Sequence, residues 1–304
     1  MKTIIITGAN RGIGFHCALR AAQMQPDRRI VLACRNPAAG ELAAQKIRAL
    51  TGHGHVISLP IDLASLPSVQ RFVDLLQDLQ DPAVEALINN AGILVNEKNE
   101  LTEDGFEKTF ATNHLGPFYL TLLLSAHYDT GARIIFVTSE AHHLVRHSST
   151  IPSLYASANL PTSNQKNEQP LWMRRYAISK LCNILTAYKL SELLADRNIR
   201  VNACNPGLTP GTGLIDGRSA WARFKWQYLM PAAALFSGNM ITKSVAGDRL
   251  AELAFSSQMQ YLTGVYYSNG RLGLSSKDSY NRTYQEDLWN ESISLTGLPL
   301  NALR

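Results

Sequence analysis

Thr3-Ile-Ile-Ile-Thr-Gly-Ala-Asn-Arg-Gly-Ile-Gly14 joins an apolar strand to a turn with three glycines and the first residues of a helix. Gly8, Gly12 and Gly14 lack side chains that would keep a ligand from the backbone. The turn therefore presents N–H groups and the positive end of a helix where a pyrophosphate can sit. Working outward, short runs of Ile, Val and Leu alternate with longer segments of helical period, the pattern of a parallel sheet covered on both faces. Strands are expected over 3–7, 29–34, 55–59, 84–89, 132–138, 199–205 and 263–267. Helices are expected over 12–24, 38–51, 66–79, 103–127, 174–196 and 243–256. The predicted fold is α/β, a doubly wound parallel sheet of Rossmann type in a single domain over 1–304. Ligand is expected at the carboxyl ends of the strands, where the winding reverses.

Two segments break the rhythm. The first, 142–172, is dense in Ser, Asn, Pro and Gln and is too long for an ordinary connection, so it reads as an insertion loop. The second, 208–240, begins with the turn residues Pro210 to Gly213 and then becomes aromatic, basic and apolar in succession. No internal repeat and no linker divides the chain.

A chain of 304 residues is long enough to bury a core without disulfides or metals. The net charge of +5 and sequence pI near 9.0 are mildly basic. Lys and Arg are scattered rather than gathered into a stripe, which speaks against nucleic acid as a partner. The four cysteines, Cys17, Cys34, Cys182 and Cys204, have no metal-binding spacing and are expected as reduced, buried thiols of a cytoplasmic protein. The N-terminus enters a strand almost at once, so secretion is not expected. No window reaches about eighteen uncharged apolar residues, the length needed to span a bilayer.

Further chemistry-bearing groups follow in order: NNAG at Asn89–Gly92, Asn113, Ser139 closing a strand, YAISK at Tyr176–Lys180, and NPG at Asn205–Gly207. A tyrosine four residues before a lysine shares its helix face, so a cation can tune the phenol as a proton donor. With the glycine turn, these groups read as a nicotinamide-dependent oxidoreductase. At the end of the second strand, where an acidic residue would accept the ribose hydroxyls of NAD, the chain reads Ala33-Cys34-Arg35-Asn36. Arg35 and Arg11 offer guanidinium forks for a 2′-phosphate, which predicts NADP(H) over NAD(H). The plainer alternative is a pair of solvated surface arginines.

Three residues between Gly8 and Gly12, with the ordered motifs after them, resemble the short-chain dehydrogenase/reductase family over nearly the whole chain. The resemblance implies an active centre of Asn113, Ser139, Tyr176 and Lys180. Tyr176 would act as acid/base, with its pKa of about 10 moved by the Lys180 charge. Ser139 would hydrogen-bond the substrate oxygen, and Asn113 would support a water relay or instead satisfy backbone groups at a helix bend. The implied cofactor contacts are Gly8, Asn10, Arg11, Gly12, Ile13 and Gly14 in the turn, then Arg35 and Asn36. Asp62 and Leu63 would meet the adenine, although Asp62 could also cap the helix beginning near Ala64. Asn89, Ala91 and Gly92 would wall the adenosine ribose, and Pro206 and Gly207 would follow the sixth strand. Tyr176 and Lys180 would reach the nicotinamide ribose. No metal is expected, and His142, His143 and His147 read as solvated side chains.

Within the family, SEAHH at 139–143 resembles the retinol dehydrogenase-like branch. SKLCNILT, NPGLTPGTGL and TGVYYSNG resemble light-dependent protochlorophyllide reductase. Both imply a large apolar small-molecule substrate. Trp221, Phe224, Trp226, Tyr228 and Leu229 are expected in a lid over it. Arg218, Arg223 and Lys225 among these aromatics leave peripheral membrane contact through 218–240, or a partner interface, as alternatives. The expected activity is reversible carbonyl reduction with NADP(H). The alternatives are C=C reduction under light and a non-catalytic NADPH-sensing regulator. A monomer, or a homodimer paired through the helices at 103–127 and 174–196, fits the family pattern.

Overall fold

In the first strand, Ile4 and Ile6 face one apolar layer and Ile5 faces the other, so each strand residue finds a buried environment on its own side. Ile30 and Leu32 alternate with Val31 and Ala33 in the same way. This two-sided burial is why the strands read as unbroken apolar runs. A computed structural model describes residues 1–79, 83–95, 100–145, 171–210, 241–299 and 303. Most of the expected insertion loop (146–170) and lid (211–240) lies outside the described residues, as do the membrane and partner alternatives for 218–240.

The first half comprises β1 (Thr3–Thr7), α1 (Gly12–Met24), β2 (Arg29–Cys34), α2 (Pro37–Thr51), β3 (Val56–Pro60), α3 (Leu66–Gln77) and β4 (Val84–Asn89). Next come α4 (Lys108–Phe110), a π-helical turn (Ala111–Leu115), α5 (Gly116–Leu123), β5 (Tyr128–Val137) and a 3-10 turn (Glu140–Leu144). The described remainder holds α6 (Leu171–Leu193), β6 (Arg200–Asn205), α7 (Lys243–Phe255), β7 (Tyr266–Ser268), β8 (Arg271–Gly273) and α8 (Arg282–Thr296). The eight-stranded sheet has the order β3-β2-β1-β4-β5-β6-β7-β8. Its pairings are parallel except for β7 with β8. Winding reverses between β1 and β4, which opens a crevice at their carboxyl ends. The structure bears out the single-domain, doubly wound α/β fold.

The expected helix over 103–127 is broken. Residues Lys108–Phe110 are helical, Glu107 caps them through Thr109 N and Phe110 N, and Ala111–Leu115 widens into the π turn. Pro117 explains the widening, because it lacks an N–H for the carbonyl of Asn113 and its ring would crowd that carbonyl in a regular helix. β8 and α8 were not expected. Asn281 caps α8 by accepting from Thr283 N and Tyr284 N, and Gly297 ends it at φ +66°. α8 buries Leu288, Trp289 and Ile293, with Trp289 edge-on to Phe118 at 5.2 Å between ring centres.

Candidate active site

The carboxyl ends of six strands open into one cavity of about 1060 Å³. Gly8, Asn10, Arg11 and Ile13 line it after β1, Arg35 and Asn36 after β2, and Asp62 and Leu63 after β3. Ala91 and Gly92 contribute after β4, Ser139 after β5, Tyr176 and Lys180 from α6, and Pro206 and Gly207 after β6. Residues up to about 200 positions apart in sequence thus meet because all but Tyr176 and Lys180, which reach in from α6, follow a strand of one parallel sheet.

The turn after β1 has the shape of a phosphate cradle. Gly8 and Gly12 sit at φ +66° and +62°, a left-handed conformation natural to glycine. A Cβ at Gly8 would lie 3.0 Å from Ala91 Cα, and one at Gly14 would lie 2.5 Å from Asn90 Nδ2. Thr7 Oγ1 accepts Asn90 N (3.0 Å) and Ala91 N (2.9 Å), while Asn90 Nδ2 donates to Thr7 O (2.8 Å), so the turns after β1 and β4 are tied together. The Arg11 side chain does not cap α1, and the first-turn N–H groups face the position of a ligand anion. Exposed Arg35 stands at the end of β2 with no carboxylate in that turn. These residues fit a nicotinamide dinucleotide. Asn36 lines the cavity and also caps α2, accepting from Ala39 N at 3.0 Å.

Tyr176 and Lys180 are buried on one face of α6, with Lys180 Nζ 5.6 Å from the Tyr176 ring centre. Lys180 Nζ donates to Val137 O (3.0 Å), and its own carbonyl accepts Thr138 Oγ1 (2.9 Å), which fixes the helix against the end of β5. Burial pushes the Tyr176 phenol up to about 12, partly opposed by a hydrogen bond with the Ser139 side chain. Burial also pulls Lys180 down to about 8. The expectation that Lys180 lowers the phenol is therefore corrected: desolvation of both groups dominates. At neutral pH the pair is a neutral phenol beside an ammonium.

Asn113 does not line the cavity. It lies directly behind it, accepting Ile93 N (2.7 Å) and donating to Ile93 O (2.9 Å) and Ser179 Oγ (3.0 Å). The π turn aims this amide at the strand-four loop, which is the backbone-satisfying role named as its alternative. A Cβ on Gly92 would lie 3.3 Å from Lys180 Nζ and 3.4 Å from Asn113 Oδ1, so the bare glycine leaves the two groups room to face one another.

Three further expectations are corrected. Asn89 turns away from the cavity and donates to Thr121 Oγ1 at 3.1 Å, while its neighbour Asn90 lines the cavity instead. Asp62 Oδ1 accepts Ala64 N (3.0 Å), but the cap of α3 is Ser65, which accepts Ser68 N (3.3 Å). His142 is wholly buried rather than solvated. Its Nε2 accepts Ser276 N (3.0 Å), so Nδ1–H donates to Ser139 O (2.6 Å), and burial lowers its pKa to about 4. His143 is exposed, and His147 lies outside the described residues. Sequence reading also passed over Ser179, Glu140 and Asn90. Ser179 was discoverable, since it lies inside YAISK one turn from Tyr176, whose carbonyl its hydroxyl bonds at 2.8 Å.

The profile of the family described as short chain dehydrogenase matches residues 2–158. Human retinol dehydrogenase 11 is 32% identical over 305 residues, covering 99% of this chain and 87% of its own. Polyprenol dehydrogenase of Danio rerio is 33% identical over 305 residues, covering 98% of this chain and 87% of its own. A solved structure of a Mycobacterium paratuberculosis protein superposes with a TM-score of 0.69 at 26% identity, over 98% of this chain and 95% of that one.

Proposed function

This chain belongs to the short-chain dehydrogenase family, in its retinol dehydrogenase-like branch, and we propose that it is an NADP(H)-dependent oxidoreductase of bulky apolar carbonyls or alcohols. The observation that carries the reading is that Ser139, Tyr176 and Lys180 share one cavity with the glycine turn and Arg35. Leu94, Leu144, Trp172, Met173 and Leu208 give that cavity an apolar wall, which supports an apolar substrate. The relatives named for retinol and polyprenol, both apolar alcohols, support the same substrate class.

Bound NADP(H) supplies or accepts the hydride. Arg35 and Arg11 hold the 2′-phosphate end, and the N–H groups at Gly12 to Gly14 hold the pyrophosphate. Ser139 donates a hydrogen bond to the substrate oxygen as charge develops there. Tyr176 gives that oxygen its proton, so hydride plus proton convert carbonyl to alcohol. Lys180 carries the charge that accompanies the proton's departure. Four unpaired, buried cysteines support a reducing, cytoplasmic setting.

The test is NADPH oxidation in the dark with a panel of apolar aldehydes and ketones. Tyr176→Phe is expected to lower kcat by about a thousandfold while NADPH still binds. Parental turnover by Tyr176→Phe would remove the acid assignment, and activity only under illumination would favour C=C reduction.

A further inference from the structure

Glu140 follows Ser139 and lines the cavity, yet the proposed chemistry gives it no task. Its Oε1 collects three donors from the ends of two strands: Asn205 Nδ2 at 2.7 Å, Ser268 Oγ at 2.9 Å and Tyr266 OH at 3.1 Å. Its other oxygen lies 3.5 Å from His143 Nε2. Partial burial works to raise its pKa, but the bonds from Ser268 and Tyr266, the His143 charge and the Asn205 bond together hold it below the usual carboxylate range.

The consequence falls on Asn205. Its Nδ2 is taken up by Glu140 and by Ser268 Oγ (3.0 Å), which leaves Oδ1 as the acceptor for Gly207 N (3.2 Å). The orientation of this amide is thus set by the carboxylate, because an oxygen turned toward Glu140 would meet an acceptor. Gly207 stands at φ +109°, and a Cβ there would fall 2.7 Å from Asn269 Oδ1. Its carbonyl accepts Thr209 Oγ1 (3.1 Å), and Pro206 O accepts Arg249 Nη1 (2.9 Å). A single line of bonds therefore runs from the residue after Ser139, through Asn205, to the turn that follows the neighbouring strand β6.

We infer that Glu140 is a positioning residue that sets the Asn205–Gly207 turn, and through it holds the nicotinamide half of the cofactor against Ser139 and Tyr176. The inference rests on the NADP(H) reading proposed above. It separates the two halves of the dinucleotide, because Arg35 and the adenine contacts Asp62 and Leu63 follow β2 and β3, at the other end of the sheet.

Binding of NADPH and of adenosine 2′,5′-bisphosphate, which carries only the far half, tests it by calorimetry. Glu140→Ala is expected to weaken NADPH by about tenfold and the bisphosphate by less than about twofold, while Glu140→Gln, which keeps an acceptor oxygen, recovers most of the loss. If Glu140→Ala does not fold, Ser268→Ala decides: it removes the second support of the Asn205 amide and should weaken NADPH alone by about threefold. Equal losses for the two ligands, or none for NADPH, overturn the positioning role while the functional reading stands. A parent chain that binds neither ligand overturns the functional reading and the inference with it.

Discussion

Raising the pH from about 7 to about 9 should suppress NADPH-dependent carbonyl reduction by about tenfold through the loss of one proton from Lys180. Lys180 is 3% exposed and its ammonium donates to Val137 O at 3.0 Å, and burial lowers its pKa from 10.5 to about 8. With that value about nine-tenths of the molecules carry the charge at pH 7 and about one-tenth at pH 9. An unperturbed lysine would remain almost fully charged over the same range. The assay is kcat/KM for NADPH across this range, since that parameter reports groups of the free enzyme. Lys180→Arg keeps a charge throughout and should give a lower but level profile. Stability supplies a second readout. The folded pKa lies below the unfolded one, so the unfolded chain binds the extra proton between about 8 and 10.5, and stability rises over that window by up to about 3 kcal/mol. Lys180→Met should remove that rise in urea titrations. A rate profile level beyond pH 9 in the parent, or a basic limb retained in Lys180→Arg, would refute the reasoning.

Arg35→Asp should lower the ratio of NADPH to NADH efficiency by about a hundredfold, the equivalent of one charge-assisted phosphate contact of about 2–3 kcal/mol; an unchanged ratio in steady-state kinetics removes the 2′-phosphate assignment. His114 and His142 are held by burial near about 3 and about 4. Both contribute fully above about 6.5 and lose stability as pH falls through their folded values, at about 2 kcal/mol each between about pH 7 and 5. His142→Gln should remove about half of that slope in denaturant titrations, and an unaltered slope would count against burial as the cause. Gly92→Ala should fold but lower kcat by about tenfold, because its methyl presses on Lys180 Nζ and Asn113 Oδ1; parental kcat would show that the two groups tolerate displacement.

β1, β2 and β4 were legible because burial on both faces leaves their composition with no alternative pattern to follow. β8 was not, since three residues of antiparallel return, Arg271–Gly273, are exposed and carry no period. α8 escaped because Leu288, Trp289 and Ile293 are set in a polar segment whose partner, Phe118, is about 170 residues away. Most motif residues reached one cavity because they follow strands whose ends share an edge in a parallel sheet, while Tyr176 and Lys180 reach that edge from α6. Side-chain direction was harder to read. Asn89 and Asn90 are adjacent, yet only Asn90 lines the cavity, and alternation along a strand does not say which face is which. The burial of His142 depends on Ser276, which no local pattern around SEAHH contains. The direction of the Tyr176 shift was misread for the same reason: spacing revealed the nearby cation but not the depth at which both groups lie.

That depth gives the proposed chemistry a preferred starting state. With its pKa near 12, Tyr176 enters the reaction as the neutral phenol, the form that donates a proton to a reduced carbonyl. Alcohol oxidation needs the phenolate, and burial makes that form about 3 kcal/mol less accessible than in free tyrosine. The chain's own cation does not close the gap, because Lys180 is itself desolvated and gives a hydrogen bond to Val137 O. Ser139 works the other way through its hydrogen bond to the phenol, but the serine is held in turn by His142 at its carbonyl. On the proposed mechanism a further positive charge beside the phenol favours oxidation, and the oxidised nicotinamide would bring one. On the proposed mechanism the proton equilibrium of Tyr176 follows the redox state of the cofactor, and the chain without oxidised cofactor is prepared for reduction.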